Sequence, residues 1–254
     1  MTRVCHPYLD HPLTLPFAHR GGAADGVENT AAAFRRAAAL GYRYFETDVH
    51  TTSDGKLVAF HDATLDRVTD ARGRLGRLPW SEVRRARVAG REPLPLFEEL
   101  LEEFPGARWN VDVKAESAVA PLVELVRRAR AWDRVCVGSF SEGRVARAAR
   151  LAGPRLATSY GVRGVVGLRL LSLGVPAAVR AGAVCVQVPE ERSGIRLVDR
   201  RFVRAAHARG LQVHVWTVND PERMGLLLDL GVDGIMTDHL ETLRTVLTDR
   251  GAWA

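Results

Sequence analysis

Apolar and polar positions along the chain follow a two-part rhythm. A short run of β-branched and aromatic residues is followed by a longer segment whose apolar positions recur every three or four residues. The first run, 15–19, predicts a strand ending at His19, and Gly21-Gly22 allows a tight turn after it. Asn29 or Thr30 then stands where a helix cap belongs, Ala33, Phe34, Ala37 and Leu40 share one helical face, and Gly41 stops the helix. The next strand runs through Tyr44-Phe45-Glu46-Thr47-Asp48-Val49. Beyond it, Asp54-Gly55 is a tight-turn signal, and the apolar run 57–61 follows too soon for a crossover helix. The pattern therefore predicts an antiparallel hairpin that brings His61 opposite Glu46 and Asp48.

Residues 62–93 break the rhythm with charge and glycine, and they carry one predicted helical segment at 80–88. It resumes with a helix at 96–104 and a strand at 109–114. Further strands are predicted at 135–139, 156–160, 183–188, 212–218 and 234–238, with helices at 142–151, 165–173, 199–209, 221–230 and 240–249. The stretch 115–134 receives no element. Alternation with short connections argues for a parallel sheet, and eight strands argue for closure. The expectation is an α/β fold, a (β/α)8 TIM barrel forming a single domain over 1–254, with a hairpin and a small insertion at about 62–93 after the second strand. No linker or low-complexity segment marks a further domain.

Composition narrows the functional classes. The 254 residues carry a formal net charge of +6, and of the 36 basic residues only Lys56 and Lys114 are lysine. The arginines are scattered through helices rather than massed in one run, which argues against nucleic acid as a partner while favouring a small anionic substrate. Cys5, Cys136 and Cys185 are odd in number and far apart, excluding a disulfide framework or a zinc site; Cys136 and Cys185 read as core residues. No apolar run reaches about 18 residues, and the leader 1–16 lacks an apolar core, so the expectation is a soluble, cytoplasmic protein with no stable membrane anchor. Oligomeric state is not legible.

The candidate chemistry clusters early. Strand alternation sends Glu46 and Asp48 to one face, and two adjacent like charges call for a cation. Oxygen ligands suit one hard divalent ion, Mg²⁺ or Ca²⁺. In barrels of this kind the chemistry lies at the C-terminal ends of the strands, where His19, Arg20, Glu46, Asp48, Asp112, Lys114, Trp216 and Asp238 all fall. Asp112 and Lys114 alternate as Glu46 and Asp48 do, so Asp112 is a third candidate metal ligand, or else an ion-pair partner of Lys114. A lysine in so arginine-rich a chain suggests a compact charge placed for phosphate. His19 and His61 are the acid–base candidates. Trp216 is read as a pocket wall or a core residue. His50 is taken to alternate off the Glu46 face and is set aside, and His6, His11, His207, His214 and His239 are read as surface or core residues.

The ordered set His-Arg-Gly-Gly (19–22), Glu-Asn-Thr (28–30), Glu-x-Asp-Val (46–49), Thr-x-Ser-Asp-Gly (51–55) and His-Asp-x-Thr-Leu-Asp-Arg (61–67) resembles glycerophosphodiester phosphodiesterases. Asn110-Val111-Asp112-Val113-Lys114, Trp216-Thr217-Val218-Asn219 and Gly234-Ile235-Met236-Thr237-Asp238 extend the likeness over roughly 16–247. The resemblance implies metal-dependent hydrolysis of a small glycerophosphodiester to glycerol 3-phosphate and an alcohol. It further implies catalysis by His19 and His61, metal on Glu46, Asp48 and Asp112, and substrate binding by Arg20, Lys114 and Trp216. The chain departs from the family at Asp112, where Glu is usual, so a water could stand between this shorter carboxylate and the metal. Two other readings stay open: a related phospholipase D-like sphingomyelinase, and a catalytically silent phosphate-binding barrel.

Overall fold

The computed structural model describes residues 6–179, 181–192 and 194–253; Cys5 and the first residues of the leader lie outside them. Eight parallel strands form the barrel: β1 (Leu15–Ala18), β2 (Tyr44–Thr51), β3 (Arg108–Val113), β4 (Val135–Gly138), β5 (Ala157–Thr158), β6 (Cys185–Pro189), β7 (Gln212–Trp216) and β8 (Gly234–Thr237). Each pairs with its sequence neighbour through β5, β1 pairs with β8, and β6 with β7. A single parallel bridge between Ser159 and Cys185 joins the β5 and β6 sides. This is the (β/α)8 barrel the alternation predicts.

Among the described residues eight helices cover the sheet: α1 (Ala31–Ala39), α2 (Phe97–Glu103), α3 (Val119–Arg128), α4 (Glu142–Ala152), α5 (Val162–Ser172), α6 (Arg200–His207), α7 (Pro221–Leu230) and α8 (Leu240–Asp249). Their starts obey local chemistry. Thr30, Ser141, Asp199 and Asp220 each accept a bond from the backbone amide three residues on, which satisfies a donor the helix leaves open. Helix α3 occupies the stretch left unassigned: Val119, Leu122, Val123 and Val126 make a buried face spaced by threes and fours.

Two cores result. The larger lies between strands and helices and contains Trp109, Phe45, Phe34 and Phe97. The second fills the lower barrel, where Phe17, Tyr44, Cys136, Cys185 and Met236 meet Tyr8 and Leu9 from the leader. Cys136 and Cys185 are free thiols in that core, as the sequence predicts. With this end plugged, the opposite end is the one left for chemistry.

The hairpin forms as expected, Leu57–Ala59 pairing antiparallel with β2 in the register Val49 to Ala59. The insertion differs from its prediction. Its helix is only Trp80–Val83, and Arg87–Val88 instead pairs with Glu92–Pro93 as a tiny ladder. Phe60, Leu65, Leu75, Val83 and Val88 give this segment a small core of its own, which places residues 61–67 firmly beside the barrel mouth. A second short ladder, Glu191–Arg192 with Ile195–Arg196, stands at the mouth and has no counterpart in the sequence reading.

Candidate active site

A cavity of about 610 Å³ opens at the C-terminal ends of the strands. It is lined by His19, Arg20, Glu46, Asp48, His61, Asp112, Lys114 and Trp216, so the eight residues given catalytic, metal or substrate roles from sequence reach one place.

His19 follows β1, and the chain turns there through one 3-10 turn in which Arg20 takes a left-handed conformation (φ +51°) and Gly21 follows at φ +85°. A side chain at Gly21 would meet the Ala33 Cβ at 2.7 Å, so the turn demands glycine. This geometry lets the Arg20 amide donate to Glu46 Oε2 at 3.1 Å.

The two histidines are built alike. His19 Nδ1 lies 2.7 Å from Asp238 Oδ1, and its Nε2 lies 3.8 Å from Glu46 Oε2. Asn219 holds Asp238 in turn, donating from Nδ2 at 3.0 Å while its Oδ1 accepts the Asp238 amide at 2.9 Å. His61 Nδ1 lies 2.6 Å from Asp62 Oδ1, and Arg67 Nε donates to Asp62 Oδ2 at 2.6 Å. With each Nδ1 committed to a carboxylate, each Nε2 is the nitrogen left for proton exchange. Burial opposes charge on His19, yet Glu46 and Asp238 outweigh it and raise its pKa above the ordinary histidine value.

Between the histidines lies a floor of carboxylates. Burial first, and the Asp48 charge second, push the Glu46 carboxyl up to about 7, against the pull of His19, Arg20 and Lys114. Burial works on Asp48 in the same direction, but Lys114 and Arg20 outweigh it and hold that carboxylate below its usual range. Asn29 Nδ2 donates to Asp48 Oδ2 at 3.0 Å, and Arg20 Nε lies 3.2 Å from the same oxygen, close enough for attraction though out of hydrogen-bond alignment. Lys114 Nζ sits 3.0 Å from Asp48 and 2.6 Å from Asp112, so the ion pair weighed for Lys114 is present.

Among the described residues, no three carboxylate, imidazole or thiol groups converge in a ready-made metal cage. The donor chemistry nonetheless fits a hard cation. Asp112 Oδ1 is buried without a hydrogen-bond partner, and burial followed by the Asp48 charge raises the Asp112 pKa. An unpartnered hard oxygen beside Asp48 is what an oxygen-seeking divalent ion would satisfy.

Several parts of the site were not singled out from sequence. Asp238 was placed on the rim without a role, and Asp62, Arg67, Glu28 and Asn219 were noticed only within motifs. Arg67 also donates to Glu28, at 2.7 and 3.0 Å, and Glu28 accepts from Arg20 at 3.0 Å, so one chain of charge links the two histidine halves. Asn29 serves the site rather than the helix, since Thr30 alone makes the cap bond. The placing of His50 off the Glu46 face is corrected. Residues 46, 48 and 50 share one parity of β2, so His50 faces the same way as Glu46 and Asp48, and its Nε2 lies 3.1 Å from the His61 carbonyl. Trp216 is both wall and partial core: it lines the cavity, packs against the lower core and meets Phe140 edge-on at 5.6 Å. His207, read as a plain surface or core residue, lies 2.7 Å from Asp233.

A family profile described as glycerophosphoryl diester phosphodiesterase matches residues 19–242. A Mycobacterium tuberculosis protein named probable glycerophosphodiester phosphodiesterase 2 is 41% identical over 251 residues, covering 97% of this chain and 95% of that protein. A human protein named lysophospholipase D GDPD1 is 28% identical, with 92% of this chain and 86% of that protein covered. The crystal structure of a putative glycerophosphoryl diester phosphodiesterase from Silicibacter pomeroyi superposes with a TM-score of 0.82 at 25% identity, covering 98% of this chain and all of the other.

Proposed function

The chain belongs to the glycerophosphoryl diester phosphodiesterase family, and from that premise we propose that it hydrolyses glycerophosphodiesters to glycerol 3-phosphate and an alcohol. The observation that carries this reading is the pair of carboxylate-oriented imidazoles, His19 on Asp238 and His61 on Asp62, facing one cavity over a floor of buried charge.

In this reading the diester phosphate lies between the two Nε2 atoms. His61 accepts the proton of the attacking oxygen, water or the neighbouring glycerol hydroxyl, as the new P–O bond forms. His19, whose carboxylate neighbours favour its charged form, donates a proton to the alcohol oxygen as the old P–O bond breaks. If the glycerol hydroxyl attacks first, water opens the cyclic phosphate in a second step with the histidine roles reversed; either route adds one water across one P–O bond. Lys114 and Arg20 offset the charge of the phosphate oxygens, and Trp216 walls the glycerol. Glu46, Asp48 and Asp112 would hold one divalent ion, Mg²⁺ or Ca²⁺, which when bound supplies Lewis-acid polarisation of the phosphate.

Release of glycerol 3-phosphate, followed by a coupled assay over several head groups with and without a chelator, tests the reading. Turnover of several glycerophosphodiesters that is lost on chelation and restored by Mg²⁺ or Ca²⁺ is expected. Turnover of sphingomyelin alone, or metal binding without turnover of any diester, would overturn it.

A further inference from the structure

The catalytic cavity is divided by charge. Among the described residues its carboxylates, Glu46, Asp48 and Asp112, all stand on β2 and β3. The wall across the barrel, built from α5, β6 and the short ladder after it, contributes no carboxylate to the cavity and two guanidinium groups, Arg169 and Arg192.

The two arginines differ in their company. On α5, Gly164, Gly167 and Leu168 form the buried face, and Arg169 beside it donates to Asp199 Oδ2 at 2.8 Å, so its charge is balanced within the protein. Arg192 has no ion-pair partner among the described residues, and its guanidinium lies 5.8 Å from the centre of the Phe140 ring. The acidic residues just before it are placed elsewhere: Glu190 holds Arg223, and Glu191 stands in register with Arg196 across the ladder. Lys114 Nζ lies at the same 5.8 Å from the Phe140 ring, so the two cations are no further apart than twice that distance. A phosphodiester seated at Lys114 can therefore extend its alcohol to Arg192.

This wall is ill suited to a cationic alcohol. An ammonium group is held by a carboxylate or by a free aromatic face. The wall offers no carboxylate, Phe140 already has two cations beside it, and Trp216 meets Phe140 edge-on. A guanidinium presents paired N–H groups that match a carboxylate or a phosphate in a two-pronged contact.

We propose that Arg192 is a specificity-determining residue that reads the leaving alcohol, so that the preferred substrates are glycerophosphodiesters whose alcohol carries an anionic group of its own, carboxylate or phosphate. This deepens the diesterase reading of the same site and rests on it. The bond changes are those given above, and the anionic group departs with the alcohol. Arg192 is exposed, so the contact is screened by salt, while attraction of an anion and repulsion of a cation act in the same direction and together separate the two by about tenfold.

Four diesters of glycerol 3-phosphate decide the matter, their alcohols equal in length and ended by carboxylate, phosphate, hydroxyl or trimethylammonium. Release of glycerol 3-phosphate by the full chain is followed with Mg²⁺ or Ca²⁺ present, at low and at high salt. At low salt kcat/KM for the better anionic diester is expected to exceed that for the trimethylammonium diester about tenfold or more, with the hydroxyl diester between them, and high salt should shrink the span. The order of carboxylate and phosphate shows which anion Arg192 takes. Arg192→Gln should erase most of the span, Arg192→Lys should keep most of it, and Arg196→Gln, on the other strand of the ladder, should leave it unchanged. Rates that ignore head-group charge or favour the ammonium diester overturn the proposal, as does a span that survives Arg192→Gln. If none of the four turns over, the same compounds are titrated calorimetrically. Affinity ordered by charge and flattened by Arg192→Gln would then support the subsite while rejecting the diesterase reading, whereas unordered or absent binding would reject both.

Discussion

The His50 ring nitrogen Nε2 reaches the backbone carbonyl of His61 at 3.1 Å, tying β2 to the end of the antiparallel arm. Burial lowers the His50 pKa, so its ring is neutral and can donate a single N–H to that oxygen. His50 thereby acts through the placement of His61. His50→Ala is expected to lower kcat about tenfold with KM nearly constant, because a general base out of line loses rate rather than affinity. His50→Gln, which retains a donor, should recover most of the rate. Steady-state kinetics on the two variants check this, and equal losses in both would reduce His50 to a packing role.

His19→Ala and His61→Ala should each lower kcat by about 10²-fold or more. Both side chains lie at the cavity, so circular dichroism and the melting midpoint should stay near those of the parent. Near-normal turnover in either variant removes that histidine from the proposed proton transfers.

Asp238→Asn gives a signed pH effect. The Asp238 and Glu46 charges outweigh burial to raise the His19 pKa, so the proton stays on His19 further into the alkaline range. Loss of one charge lowers that pKa. If His19 is the proton donor, the alkaline limb of kcat should move to lower pH while the acid limb stays in place. A profile displaced only in height would assign Asp238 to orientation alone.

Asp112 gives the chemical test of the metal proposal. One of its oxygens holds Lys114 at 2.6 Å and the other is buried without a partner. Asp112→Glu is expected to keep activity, the longer arm reaching at least as far. Asp112→Asn should lose most of it, together with metal affinity measured by calorimetry. If Asp112→Asn binds metal and turns over like the parent, Asp112 serves only as the partner of Lys114.

The barrel and its rim were legible because both rest on local periodicity. Parity alone put Glu46 with Asp48, and Asp54-Gly55 alone folded His61 back over them. The same parity applied to His50 gives the face it occupies, so that residue was misread rather than hidden. Other features lay beyond local pattern. Arg67 meets Glu28 across 39 positions of chain, a contact set by the packing of the insertion beside the mouth, and His19 meets Asp238 across 219, a contact set by closure of the barrel. The facing of α5 was invisible for another reason: its apolar residues Val162, Val165, Val166, Leu168, Leu170 and Leu171 spread around the helix and leave no clear period to show which side faces in.

The unequal lacing of the sheet has a mechanical consequence. Six residue pairs join β2 to β3, two join β4 to β5, and beyond β5 one Ser159–Cys185 bridge closes the circle. The charged floor stands on the densely bonded β2–β3 pair, whereas β1, which leads to His19, joins β2 by two pairs and β8 by four, and α5 follows the sparse seam at β5. The strand pairing thus grades from a firmly laced β2–β3 pair to a thinly laced edge at β5. Amide exchange should record that gradient, with the Ser159 and Tyr160 amides opening well before those of β2.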